Sequence, residues 1–200
     1  RALVARAPRD EGRVRAHVIL VRDGSAITNH LHRRVGVVGG FIQPDVGEDI
    51  LRAAVVERHG KTGNVGKGLV KGFGLRRGAF AMSVVHDSHS LTVIGVGGTD
   101  MLAAVNTVRE MGGGIAVADG GRAVAGVALP LAGLMSLKPL DSLYPEIERV
   151  KAAIRGLGCT MKSPFMTLSL LSLAVIPELR ITDKGLVDSV NFALIPLVEG

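Results

Sequence analysis

Apolar residues in this chain fall in short runs separated by glycines and charged pairs, the pattern of many brief strands joined by tight turns rather than of long helices. Residues 13–22, with Val14, Val18, Ile19, Leu20 and Val21, predict a largely buried strand closed by the turn Asp23-Gly24. Residues 35–42 predict a second, glycine-interrupted strand ended by Pro44-Asp45. The run 50–56 suits a short helix or a buried strand equally well. Residues 80–85 and 91–94 are β-branched apolar runs on either side of the polar stretch 86–90, which predicts strand, short loop, strand.

One segment has clear helical spacing. Met101, Leu102, Val105, Val108 and Met111 fall on one face, Thr99 is placed to cap the helix, Asp100 suits its positive end, and Gly112-Gly113-Gly114 stops it. The runs 115–118 and 124–129 flank Asp119-Gly120-Gly121, a hairpin signal. A second helix is expected from about Pro145 to Leu157, with Ile147, Val150, Ile154 and Leu157 as its stripe and Gly158 past its end. Residues 165–175 and 177–187 supply further apolar segments. The fold class that follows is α+β: a mixed or mostly antiparallel sheet with two to four helices and no complete (β/α)8 barrel. Residues 1–13 read as an N-terminal extension and 14–200 as the domain.

Composition narrows this picture in three respects. With 27 glycines, turns are numerous, and with 47% hydrophobic and 21% charged residues a 200-residue chain can bury a substantial core. No run approaches the ~18 apolar residues of a membrane span, so no membrane partner is expected. The single cysteine, Cys159, excludes an intramolecular disulfide and fits a reducing cytosol, which gives a cytoplasmic expectation. Charge is uneven: residues 1–80 carry 15 Lys+Arg against 7 Asp+Glu, and residues 81–200 carry 9 against 11. A basic half can attract nucleic acid, but at 3% aromatic content no stacking platform accompanies it, and no nucleic-acid partner is expected.

The candidate chemistry lies in His86-Asp87-Ser88-His89, reached through the glycine-spaced basic run Lys71-Gly72-Phe73-Gly74-Leu75-Arg76-Arg77-Gly78. Two imidazoles and a carboxylate within four residues can bind a metal, move a proton or grip a polar ligand. In that reading His86, Asp87 and His89 assist catalysis, with Asp87 orienting one imidazole, while Ser88, Lys71 and Gly74 meet the ligand. Glu57 and His59, on one face of a strand at their spacing, are weaker candidates for a metal site. In His30-Leu31-His32 a strand would put both imidazoles on one face, able to share a metal; Arg33 and Arg34 oppose a dication, and a partly exposed basic strand is the expectation. Phosphate-loop, dinucleotide-turn and nucleophile-elbow patterns are absent, and one cysteine cannot supply the Cys-x-x-Cys of the nucleobase zinc deaminases.

Taken together, Glu57-Arg58-His59, Thr62-Gly63-Asn64-Val65-Gly66, Val70-Lys71-Gly72-Phe73-Gly74-Leu75, His86-Asp87-Ser88-His89, Met111-Gly112-Gly113-Gly114, the block 129–136, Pro164-Phe165-Met166-Thr167-Leu168-Ser169, Ile176-Pro177-Glu178-Leu179 and the block 182–188 resemble the C-terminal region of bacterial and archaeal adenine deaminases, in unbroken order from about residue 14 to 190. The resemblance implies a part of an amidohydrolase that converts adenine to hypoxanthine and ammonia with a pair of manganese, iron or zinc ions held in a (β/α)8 barrel. That barrel, with its metal ligands, is not in this chain, and no cofactor is secure within it. Ser90 stands where the family pattern leads one to expect Asn.

The expectation is therefore a domain that offers active-site-facing residues or structural support to a metal-bearing barrel, is inactive alone, and sees an adenine-type purine; a homo-oligomer is left open. Two alternatives remain: a free-standing purine- or metal-binding module, and a small independent metal-dependent hydrolase built from His86, Asp87 and His89 with Glu57 and His59.

Overall fold

The computed structural model describes residues 3–199. Its strands are β1 (Gly12–Leu20), β2 (Asn29–Val38), β3 (Phe41–Ile42), β4 (Ile50–Val56), β5 (Val65–Lys71), β6 (Ala79–Met82) and β7 (Leu91–Gly95). Helix α1 (Gly98–Glu110) and strands β8 (Gly114–Asp119) and β9 (Arg122–Ala128) follow. Helices α2 (Leu140–Gly156) and α3 (Pro164–Leu170) then lead to β10 (Leu179–Thr182), β11 (Gly185–Asp188) and β12 (Ala193–Ile195). Nine strands form one open sheet in the order β3-β2-β1-β5-β4-β7-β6-β8-β9, and β10-β11-β12 form a small antiparallel sheet. The large sheet is mixed through a single parallel contact, β1 with β5 at Ile19↔Val70 and Leu20↔Lys71. The expected α+β class holds, with three helices among the described residues and no closed barrel.

The sheet lies between two layers. Ala53, Val55, Phe80, Met82 and Ile94 turn one way, into a core with Val150 and Ile154 of α2, Leu168 of α3 and Leu179 and Ile181 of the small sheet. Their neighbours Ala54, Ala79, Ala81 and Val93 turn the other way, with Ala116 and Ala118, against Met101, Ala104, Val105 and Val108 of α1. Alternation along each strand puts adjacent residues on opposite faces, and a carpet of alanines on the α1 side leaves room for that helix to lie close.

Several expectations are refined. The ambiguous run 50–56 is strand β4, because it pairs on both sides, with β5 and β7, and is covered on both faces, which erases any apolar-polar alternation. The second strand begins at Asn29, not 35, and Gly39 and Gly40, both at positive φ, turn it into β3. Helix α1 starts at Gly98 with Gly97 as its cap, and the Asp100 carboxylate accepts the Gly121 N–H at 2.7 Å instead of closing its own helix end. Helix α2 begins about five residues earlier than expected, at Leu140. Strand β5 escaped the hydrophobic pattern altogether because Gly66 and Gly68 occupy its packed face. A Cβ on Gly66 would lie 1.7 Å from the Thr182 carbonyl oxygen, and one on Gly68 2.9 Å from Ile181 Cδ1, so the small sheet lies directly on these two glycines. The described part of segment 1–13 packs onto the domain: Leu3 is buried beside α1, and the Ala7 N–H donates to the Gly40 carbonyl at 2.9 Å.

Candidate functional site

The chemistry-bearing loops gather where β4 ends and β5 and β7 begin, marked by the pairs Val56↔Val65 and Val56↔Leu91. The loop leaving β4 is wound around Glu57, whose carboxylate accepts backbone N–H groups from His59 (2.5 Å), Lys61 (3.0 Å), Thr62 (3.1 Å) and Gly63 (3.2 Å). These bonds, led by that from Thr62, hold the Glu57 carboxyl at a pKa of about 2. The next two residues reach across to the neighbouring loop. Arg58 Nε donates to the His89 carbonyl at 2.5 Å and its Nη2 to the Ala132 carbonyl at 2.7 Å, while His59 Nε2 donates to the Ser88 carbonyl at 2.8 Å.

The 86–89 loop is thus held by its backbone. The His86 N–H donates to the Ser169 carbonyl at 2.9 Å, and the His86 carbonyl accepts from Ser172 Oγ at 2.8 Å. His86, Asp87 and Ser88 are exposed, His89 is half-buried at φ 48°, and the buried His89 Nδ1 has no hydrogen-bond partner. Asp87 makes no hydrogen bond to either imidazole; the orienting role expected of it within the loop is not realised in this arrangement.

Lys71 and Gly74 sit elsewhere. Lys71 pairs with Ile50, at the far end of β4, about 20 Å along the strand from Val56. Its ammonium faces the Glu48 carboxylate at 3.4 Å, and the Gly74 N–H is already donated to Asp49 at 2.8 Å. Burial raises the pKa of Asp49 against the opposing pull of the Gly74 and Gly72 N–H groups. Grouping Lys71 and Gly74 with the histidine loop is therefore corrected: closeness in sequence was undone by the length of β5.

A second cluster lies on the β1–β2 hairpin. The register puts His17 opposite His32, with His30 two residues further along the same face, so that His17 joins the His-x-His pair. Ring centroids are 4.7–5.0 Å apart, and His17 Nδ1 lies 2.7 Å from His30 Nε2. The segment 197–199 runs beside β1, where the Glu199 N–H donates to the Arg15 carbonyl at 3.0 Å, and this brings the Glu199 carboxylate onto His32 Nδ1. Burial, then the imidazoles of His30 and His32, lowers the pKa of His17, and burial, then the His32 imidazole, lowers that of His30. The segment is the partly exposed basic strand that was expected, with His32, Arg33 and Arg34 exposed; what the register adds is His17, with Arg33 turning its Nη1 to the His32 carbonyl and Arg15 met by Glu199 at 3.1 Å. The sequence carries little signal for this part of the strand, because between Thr28 and Arg34 only Leu31 is apolar; pairing with β1 extends it back to Asn29 and sets His32 opposite His17.

A family model described as the adenine deaminase C-terminal domain matches residues 25–193. The chain belongs to this family. Among adenine deaminases it is 45% identical over 179 residues to that of Dehalococcoides mccartyi (strain 195), covering 90% of this chain and 31% of the relative. It is 43% identical over 194 residues to that of Moorella thermoacetica, covering 97% and 33%, and 46% identical over 184 residues to that of Cereibacter sphaeroides (strain ATCC 17025), covering 92% and 33%. The chain spans about a third of the length of these relatives.

In this adenine deaminase C-terminal domain the motif blocks converge in space. Gly133 lies against the Arg58 guanidinium, a Cβ on Gly113 would be 2.2 Å from Gly133 Cα, and Ser83 Oγ donates to the Gly133 carbonyl at 2.6 Å. Blocks 57–59, 62–66, 86–89, 111–114 and 129–136 thereby meet at one end of the sheet. A cavity of about 380 Å³ opens there, lined by Val56, Arg58, Leu91, Val105, Arg109 and Gly113 among others.

Proposed function

We propose that this chain works as the C-terminal part of an adenine deaminase, an enzyme in which water replaces the exocyclic amine of adenine to give hypoxanthine and ammonia. The observation that supports a role for the 86–89 loop is the division of labour in it. Its backbone is bonded to Ser169, Ser172, Arg58 and His59, while the side chains of His86, Asp87 and Ser88 are exposed. A loop held by its main chain fixes the positions from which its exposed side chains project, which spares the backbone ordering cost when they meet a substrate or a neighbouring domain. His86 and His89 would then bind the purine or carry a proton beside a metal-bearing barrel, and Asp87 and Ser88 would bind its polar edges.

The family's metal pair, of manganese, iron or zinc, does not fit at this loop. Glu57 has its oxygens filled by backbone N–H donors, and among the described residues the only cluster of three metal-ligating groups is on the β1–β2 hairpin, not here. No step is therefore assigned to a metal at His86 or His89, and the reading of the chain as an independent metal-dependent hydrolase built from Glu57, His59, His86, Asp87 and His89 loses its ligand set. A cytosolic setting in purine metabolism accords with the buried Cys159 thiol, whose pKa is raised by burial, as expected of an inert structural cysteine. Among the described residues no helix is long and apolar enough to cross a membrane.

The test is adenine turnover by the longer protein that contains this chain. His86→Ala and His89→Ala should each lower kcat/KM about tenfold or more with bound metal unchanged, given the usual worth of proton transfer and binding groups. Wild-type kcat/KM in both variants, or full turnover by the 200-residue chain alone, would overturn the proposal.

A further inference from the structure

The cluster on the β1–β2 hairpin takes no part in the function proposed above. His17, His30 and His32 belong to two adjacent antiparallel strands whose register fixes them on one face, and their ligand atoms all lie within 4.8 Å of one another. Two nitrogens bound to one tetrahedral ion at 2.0–2.1 Å stand roughly 3.4 Å apart, so rotation of the imidazoles within the existing backbone is enough to converge them.

The surroundings suit a dication. Glu199, accepting from His32 Nδ1, sets the tautomer that leaves His32 Nε2 free, the arrangement by which carboxylates orient histidine ligands. Glu178 anchors the same strand, its carboxylate accepting the His30 N–H at 2.7 Å and Asn29 Nδ2 at 3.2 Å, and Asp188 adds negative potential at His30. Of the neighbouring cations, Arg15 is neutralised by Glu199. A histidine cluster whose only task was packing would gain little from three imidazoles left half-buried to exposed with a carboxylate aimed at one of them.

We propose that His17, His30 and His32 form a binding site for one divalent transition-metal ion of the zinc type, with Glu199 as the carboxylate that orients His32. Three imidazole nitrogens suit Zn²⁺, Co²⁺ or Ni²⁺ and not Mg²⁺ or Ca²⁺, which take oxygen. The site leaves a fourth position open. It does not depend on the deaminase reading.

The experiment is titration of the chelator-treated 200-residue chain with Zn²⁺, followed by calorimetry and by the imidazole resonances in NMR. One equivalent should bind, shifting three of the six histidines, those at 17, 30 and 32. His17→Asn and His30→Asn should each weaken binding more than about 100-fold and Glu199→Gln about tenfold, with His86→Gln within about twofold of the parent. The proposal is overturned if no Zn²⁺ binds at submillimolar concentration, if stoichiometric binding survives both hairpin variants, or if the shifted resonances belong to His59, His86 and His89. The resonance assignment is made on the unsubstituted chain, so a variant that fails to fold leaves it decisive.

Discussion

Ser83→Ala is expected to destabilise this domain out of proportion to the single oxygen it removes. Ser83 is 0% exposed, its hydroxyl donates to the Gly133 carbonyl at 2.6 Å, and it accepts the Gly114 N–H at 2.8 Å; both glycines are buried too. Alanine keeps the Cβ and leaves no void of consequence, but it strands one donor and one acceptor away from water. At about 1–3 kcal/mol for each buried group left unpaired, the cost is about 2–6 kcal/mol, and we expect about 3. For a domain of this size that lowers Tm by roughly 6–12 °C. The converse substitution lies on the next strand. Thr92 is also 0% exposed, but its Oγ1 has no partner, so Thr92→Val exchanges an unsatisfied hydroxyl for a methyl of the same shape and should stabilise by about 1 kcal/mol. Urea unfolding of the parent and both variants, with the slope unchanged, reads the two effects. A loss below about 1 kcal/mol for Ser83→Ala, or a loss of any size for Thr92→Val, would refute the hydrogen-bond accounting.

Two further outcomes follow from the same geometry. Gly66→Ala should cost about 3 kcal/mol or more or prevent folding, since its Cβ would lie 1.7 Å from the Thr182 carbonyl oxygen and push the small sheet off β5; a melting temperature within a few degrees of the parent would contradict that packing. Glu57, held at about 2 from an ordinary 4.5 by the backbone N–H groups of Thr62, Gly63, His59 and Lys61, contributes stability that is complete above about pH 4.5 and lost as pH falls towards 2. Glu57→Gln should therefore flatten the acid limb of stability against pH across that window, and an unchanged limb would show that the bonds to Glu57 are not formed.

How legible the domain was in its sequence can be judged residue by residue. Helix α1 was readable because its apolar residues repeat with the helical period and glycines end it, and the β8–β9 hairpin because Asp119-Gly120-Gly121 interrupts two apolar runs. Strand β5 was not, because Gly66 and Gly68 give no hydrophobic signal; their small size is explained only by the Ile181 and Thr182 segment lying on them. The 86–89 loop stood out as a local cluster of titratable residues, while Lys71, grouped with it in the sequence, lies at the other end of β4, beside Ile50.

What the sequence determined by itself was the class of fold, the family, and the candidate groups, since periodicity, turn residues and ordered motif blocks are local properties of the chain. What tertiary structure decided was which of those groups meet. Strand register and strand length set that: a seven-residue strand carries Lys71 away from His86, and the pairing of His17 with His32 across an antiparallel ladder brings a third imidazole to a pair that looked incomplete.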